Sequence, residues 1–471
     1  MKKVLAKIVD VKPDEIRALW LGFVFNFMVL GSYYVIKPVR DDIGAHNGVQ
    51  NLWWMFTGTL LVALVANTAF SAIVARMSRR QFIPIVYRFF ILNLAIFYLA
   101  MRYLSNTAQF WVGTAFFVWV SGAFNLFILT VFWAFMSDVF SPDQGKRLFA
   151  FISVGGELGG IVGAFLAGAL VKRIGGVNLL IISAILLEAG AWCVRFFPAD
   201  FKSDHQDRQL LPDENCRASV SDAGADEAGV SQKRPTKEEA AAEKPIGGGI
   251  ITGISHVFRS PYLMAICGFM FLYAITTTFV YFQQADITGS QFHDRAARTA
   301  FFAHIDTWVN SLTLLVQLFL TGRLLKWIGV GPTLAFLPVL SMIGFIAIGI
   351  SPVLSLFAVF QVARRAGNFA VTRPAREVLF TVLSREDKYK AKSFIDTFVY
   401  RVADQVGAWS YSLLRWLGLG LTGISWVAVP LTGVWCVLSL FLGRKQRALA
   451  DAQAKRDRSS PVTDIAAPEP A

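Results

Sequence analysis

Twelve stretches of this chain are each about as long and apolar as a helix must be to cross a bilayer, which takes roughly 20 residues for about 30 Å of hydrocarbon. They run over 18–36, 52–75, 82–101, 110–137, 148–171, 177–197, 261–285, 299–322, 327–350, 353–383, 393–417 and 424–442. A water-soluble core could not absorb so many long apolar runs. The composition agrees, with 55% hydrophobic residues, 41 Phe, 13 Trp and only 16% charged residues. The fold class read from the sequence is therefore all-α, a polytopic membrane protein of twelve transmembrane helices in two six-helix halves. Its first partner is the lipid bilayer.

Orientation follows from the bases. Lys2, Lys3, Lys7 and Lys12 precede Asp14, Glu15 and a full-length apolar run, a pattern without a cleavable signal peptide. The start is expected in the cytoplasm. Counting alternately, the loops assigned inside hold Arg76, Arg79 and Arg80, then Lys146 and Arg147, Arg323 and Lys326, Arg385, Lys388, Lys390 and Lys392, and finally Arg444, Lys445 and Arg447. Outside loops are poorer in bases. This places both termini in the cytoplasm of a multi-pass protein of the cell inner (plasma) membrane. The net charge of +13 thus reports orientation, and no nucleic acid partner is expected. Cys193, Cys216, Cys267 and Cys436 stand singly, so no disulfide framework or metal cluster is implied, and no cofactor is expected.

The chain divides into a six-helix half over 1–198, a polar segment over 199–255, a second six-helix half over 256–446 and a tail over 447–471. The middle segment and the tail are small, polar and mixed in charge, a composition that reads as disordered and cytoplasmic. Six plus six spans around such a linker resemble the major facilitator architecture, whose halves rock around a central site. The cytoplasmic loop signature of that superfamily is only faintly echoed by "ARMSRRQF" and "TGRLLKWIG". In the fifth run, "GGELGGIVGAFLAGA" sets Gly155, Gly159 and Gly163 four apart, with Gly156, Gly160 and Gly168 on an adjoining row. Small residues at that spacing allow close helix packing and are compatible with a moving interface.

Charges inside the runs carry the functional reading, because each costs roughly 2.5–3.5 kcal/mol at the bilayer centre on insertion scales. The tenth run holds Arg364, Arg365, Asn368, Arg373 and Arg376, with Glu377 four residues after Arg373. Planar guanidinium forks match phosphate and carboxylate, so an anionic solute is expected. In the eighth run Asp306, Asn310, Thr313 and Gln317 form one polar stripe, expected to face a wet cavity. Arg401 and Asp404, three apart in the eleventh run, can neutralise each other, while Asp396 lies nearer the cytoplasm. Glu157 within "GGELGG" belongs with these buried acids, and Glu188 in the sixth run has no in-helix base.

Three stretches resemble the ATP/ADP translocases of plastids and intracellular bacteria. They are "VIKPVRDDI" through Lys37, Arg40 and Asp41; "VFWAFMSDVFSPDQGKRLF" through Asp143, Lys146 and Arg147; and "GNFAVTRPAREVLFTVLSREDKYKAKSFID" through Pro374, Arg376, Glu377, Lys388, Lys390, Lys392 and Asp396. The resemblance implies nucleotide exchange on a major facilitator-related fold. Ser121 replaces that family's fourth-span glutamate, "AITTTFVYFQQ" lacks its seventh-span acid, and its eleventh-span lysine falls near Asp404, whereas the first-span base is kept as Arg40.

The function expected is a secondary transporter working by alternating access on a small anionic solute, nucleotides included. Lys37 and Arg40 are expected to attract the anion at the outer mouth, and Arg364 and Arg365, with Asn368, Asp306 and Asn310, to hold it near the midplane. Glu157, Arg401 and Asp404 would tune charge or carry coupling. Two rivals remain open, a proton-coupled efflux transporter of small molecules and a non-transporting membrane scaffold or sensor. No Gly–x₄–Gly-Lys phosphate loop occurs, so an ATP-hydrolysing pump, and enzymatic activity generally, is not expected.

Overall fold

The computed structural model describes residues 11–74, 79–197, 260–383 and 391–459, apart from Asp14 and Ser393. Helices account for nearly all of them. The first half contains α1 (Ile16–His46), α2 (Val49–Val74), α3 (Arg79–Tyr103), α4 (Asn106–Trp119), α5 (Asn125–Val139), α6 (Pro142–Ile174) and α7 (Leu179–Cys193). The second contains α8 (Pro261–Gln291), α9 (Arg295–Phe319), α10 (Thr321–Ile328), α11 (Val330–Ile350), α12 (Leu354–Gly367), α13 (Arg373–Leu379), α14 (Tyr400–Trp416) and α15 (Leu421–Ser459). Starts are marked by local chemistry. Ser141 caps α6 in a reciprocal box with Gln144 and is followed by Pro142, and Asp294 accepts from the Ala296 and Ala297 amides at the head of α9.

Among the described residues, nine helices are long and apolar enough to cross a membrane, six in the first half and three in the second. The expected count of twelve is met only in part. The runs that fall short are the eighth, tenth and eleventh, all of them helical, because polar and charged side chains interrupt their apolar stretches. Those are the runs singled out for their charges.

Three helices are also broken in backbone geometry. A π-helical turn at Val120–Phe124 joins α4 to α5, another at Asn368–Thr372 joins α12 to α13, and a third at Ile395–Val399 opens α14. In each, the amide after the turn reaches back five residues, from Asn125 to Val120, Arg373 to Asn368 and Tyr400 to Ile395. Such turns gather at functional sites because they re-aim side chains without ending the helix. Here they turn Ser121, Asn125, Asn368 and Tyr400 toward the cavities described below.

The glycine rows of α6 separate two jobs. A methyl at Gly155, Gly159 or Gly163 would stand 2.4, 2.2 and 2.5 Å from the carbonyl oxygens of Phe23, Phe27 and Gly31, so this row lets the backbones of α1 and α6 touch within the first half. Gly160 and Gly168 instead face Asn310 and His304 of α9, across the boundary between the halves. Gly159→Ala is therefore expected to lower the yield of folded protein severely. Gly160→Ala, which meets the movable Asn310 amide and Tyr34 ring at 2.9 and 3.0 Å, should fold and change transport instead. Equal folded yields of the two variants in size-exclusion chromatography would contradict this assignment.

One boundary differs from expectation. Residues 447–459, read as disordered tail, continue α15, as their Ala, Gln, Lys and Arg content favours. The linker at 199–255 and the end of the tail at 460–471 lie outside the described residues.

Candidate functional site

A cavity of about 740 Å³ lies between the halves, lined by α1, α5, α6, α8, α9 and residues of α12, α13, α14 and the π-helical turns that join them. It occupies the end of the bundle at which α1 begins and α15 finishes. Lys37, Arg365, Arg373 and Arg376 reach its walls against only two acids, Glu157 and Asp396, and the rings of Tyr33, Tyr34, Trp133, Tyr273, Phe369 and Tyr400 complete them.

Its closed end is a chain of alternating charges. Arg365 Nη1 lies 2.6 Å from Asp306 Oδ1, and Lys37 Nζ donates to both Asp306 oxygens at 2.8 Å and to Asp41 Oδ2 at 2.9 Å. Arg40 holds the other oxygen of Asp41 through Nε at 3.0 Å and through Nη2, and the Tyr281 hydroxyl donates to it at 3.3 Å. Lys37, Arg40 and Asp41 belong to the first half, and Asp306, Arg365 and Tyr281 to the second. The chain thus ties the halves together, and its three bases exceed its two acids by one charge. Asp306 is completely buried, and such an ion is tolerated only because both of its oxygens are matched.

A second tie starts at the next residue of α1. Asp42 of α1 accepts from Arg298 Nε at 2.6 Å and Arg295 Nε at 3.0 Å, both on α9. Asp42 and Arg298 are buried, at 2% and 4% exposure, and a cavity of about 390 Å³ adjoins them at the opposite end of the bundle from the larger one. The tie joins α1 to α9 at that end.

The predicted site residues are sorted by these contacts. Lys37, Arg365, Asn368 and Asn310 line the large cavity, and Asp306 lies directly behind it. The Asn368 amide donates to the Tyr273 hydroxyl at 2.9 Å, whereas the buried Asn310 amide nitrogen has no hydrogen-bond partner. Asp306, Asn310 and Thr313 of the polar stripe are buried, but Gln317 is exposed and bonds the Phe369 carbonyl at 3.3 Å.

Lys37 and Arg40 do not form an outer mouth. They stand in the central chain, because one α-helical turn separates Lys37 from Asp41 and lets Lys37 reach both Asp41 and Asp306 of α9. Arg364 is also displaced from its expected place. A step of about 100° around the helix turns it away from Arg365, and its guanidinium is buried against the hydroxyls of Ser341, Thr276 and Thr277 at 3.0, 3.2 and 3.1 Å. Arg401 and Asp404 form no ion pair. They share a smaller cavity, where Asp404 takes the Thr278 hydroxyl of α8, a partner that in-helix spacing could not reveal. Glu377 pairs with Lys392 rather than Arg373, Arg376 lies 3.5 Å from Asp396, and Glu188 finds Arg88 at 3.1 Å and Trp192 Nε1 at 2.9 Å. Glu157 lines the cavity without a hydrogen bond or ion pair to any described residue.

Sequence reasoning passed over Tyr33, Tyr34, Trp133, Tyr273, Tyr400 and the Asp42–Arg298 tie. For Tyr33 and Tyr34 a signal was present, since they lie one helical turn before Lys37. The others meet only through packing of distant segments. Cys193, Cys267 and Cys436 are free, and no cluster of potential metal ligands occurs among the described residues.

Comparison with known proteins accords with this architecture. Among solved structures, the chain superposes on a D-xylose-proton symporter with a TM-score of 0.59 at 11% identity, covering 91% of this chain and 97% of that one. A POT family transporter in complex with 5-aminolevulinic acid gives 0.58 at 10% identity, covering 92% and 96%. A bacterial homolog of the human lysosomal transporter Spinster, in an inward-facing and unoccupied conformation, gives 0.50 at 14% identity, covering 96% and 100%. At these identities the likeness concerns the fold alone. No curated protein matches the sequence significantly. The sequence profile described as Major Facilitator Superfamily matches residues 19–363, most of the chain, and establishes that this protein belongs to that superfamily of membrane transporters.

Proposed function

We propose that this protein is a secondary transporter of an organic anion, phosphorylated solutes such as nucleotides included, working by exchange. The observation that carries the reading is the alternating chain Arg365–Asp306–Lys37–Asp41–Arg40, which joins the halves and is one positive charge in excess. An anion entering the large cavity competes with Asp306 for Lys37 and Arg365. Once it holds them, the tie between α1 and α9 weakens and the halves can rock. An empty carrier keeps the tie, so return without cargo is slow, which is the kinetic condition for exchange. By the positive-inside assignment the large cavity faces the cytoplasm, and the described conformation is inward-facing.

The proton-coupled reading draws on a different observation. Among the described residues, Glu157 lines the cavity without a hydrogen bond or ion pair, and Asp404 has a hydroxyl but no base as hydrogen-bond partner. Counterflow separates the two. Vesicles reconstituted with the protein and preloaded with an anion are expected to take up the labelled anion at least about ten-fold faster than empty vesicles, without a pH gradient. Uptake that ignores internal anion, collapses with an uncoupler and is lost in Glu157→Gln would establish proton coupling instead.

A further inference from the structure

The smaller cavity, of about 260 Å³, is given no ligand by the anion reading above, although Arg40 lies in its wall. It lies between α1, α2, α4, α8 and α14, and it shares Asn125 and Tyr400 with the wall of the larger one. A site for a whole drug-sized ligand usually measures about 300–1,000 Å³. This cavity suits a portion of a ligand whose remainder lies next door.

Its walls are polar in an unusual balance. The charge of Arg40 is already taken up by Asp41, which leaves Arg401 and Asp404 as one base and one acid. Among the described residues, the side chains of Arg401 and Asn125 make no hydrogen bond or ion pair, and the Asp404 carboxylate accepts only from Thr278, well short of its capacity of about four hydrogen bonds. Unused donors and unused acceptors therefore stand side by side in a cavity with no excess charge. A hydroxyl is the smallest neutral group that meets both at once. Phe56, Phe117 and Tyr281 flank the same space and offer apolar faces to the carbon skeleton of a polyol.

We infer that this cavity is a subsite for a hydroxyl-rich, uncharged portion of the transported solute. The solute class is then a polyhydroxylated organic anion, of which a sugar phosphate is the simplest case. Its anionic group lies with Lys37 and Arg365, and its hydroxyls lie between Arg401, Asp404 and Asn125. The inference rests on the anion reading and narrows it.

The test compares ligands that share one phosphate group. Full-length protein in lipid nanodiscs is titrated with glucose 6-phosphate, hexyl phosphate and O-phosphoserine. Glucose 6-phosphate is expected to bind at least about ten-fold tighter than hexyl phosphate, the increment of one hydrogen bond to a charged group. In Arg401→Gln and in the isosteric Asp404→Asn, the ratio of the two affinities should fall toward one. Arg401→Gln removes no hydrogen bond or ion pair among the described residues, and thermal unfolding of the variant separates misfolding from a loss of binding. Equal affinities in the unmodified protein, or a ratio that survives both substitutions, would overturn the subsite while leaving the anion reading intact if Arg365→Gln abolishes hexyl phosphate binding. O-phosphoserine as the tightest ligand would assign the cavity to a zwitterionic ammonium and carboxylate, paired with Asp404 and Arg401, and overturn the hydroxyl assignment. Failure of all three phosphates to bind would remove both readings.

Discussion

Asp306→Ala is expected to abolish anion transport and to cost about 3–5 kcal/mol of stability, the penalty for leaving buried charge without its partner. The side chain is fully buried, and its two oxygens are shared by Lys37 and Arg365, themselves only 11% and 18% exposed. Removing it leaves two cations facing each other, with only Asp41 still on Lys37. Against a total stability of about 5–15 kcal/mol, such a loss is large. The double variant Asp306→Asn with Arg365→Gln should regain much of the stability, since Lys37 keeps Asp41, yet it should remain inactive because an anion-binding fork is gone. Thermal unfolding in nanodiscs and vesicle uptake read the two effects separately. A single variant that melts and transports like the unmodified protein would show that the chain of charges neither ties the halves nor meets the solute.

A comparable effect, on conformation rather than stability, is expected at the other end of the bundle. Asp42→Asn leaves the Arg298 guanidinium without a counter-charge only while the halves are closed there, because opening would let water reach it. The penalty therefore falls on one state of the rocking equilibrium. A shift of about 3 kcal/mol changes the ratio of the two states by roughly a hundred-fold. Thr299 is 2% exposed and lines the cavity beside Asp42. In a background without native cysteines, a cysteine at Thr299 should react at least about ten-fold faster with a membrane-impermeant maleimide once Asp42 is neutralised. A cysteine at Glu157, on the wall of the large cavity, should become less reactive. Unchanged labelling at both positions would mean that the Asp42–Arg298 contact does not hold the gate.

Much of this fold was legible in the sequence because the bilayer imposes a one-dimensional rule. Length and apolarity of each run decide whether it spans, and the lysine and arginine bias of the loops decides which way. The same rule marked the residues that break it. The eighth, tenth and eleventh runs stood out for Asp306, Arg365 and Asp404, and these do cluster around the two central cavities. Within one helix, spacing also served. Lys37 and Asp41 form a contact that an i,i+4 separation permits.

What the sequence could not supply was the partner across a helix boundary. Arg401 and Asp404 had the spacing of a pair and are not one, because Thr278 of α8 comes to the carboxylate. Arg364 and Arg365 are adjacent in the chain, yet one meets hydroxyls of α8 and α11 and the other the carboxylate of α9. The sequence by itself determined how costly each buried charge would be, since that depends on the residue and its depth in an apolar run. Which helix supplies the compensating group depends on packing between segments far apart in the chain, and Lys37 meeting Asp306, 269 residues away, is a fact of tertiary structure alone.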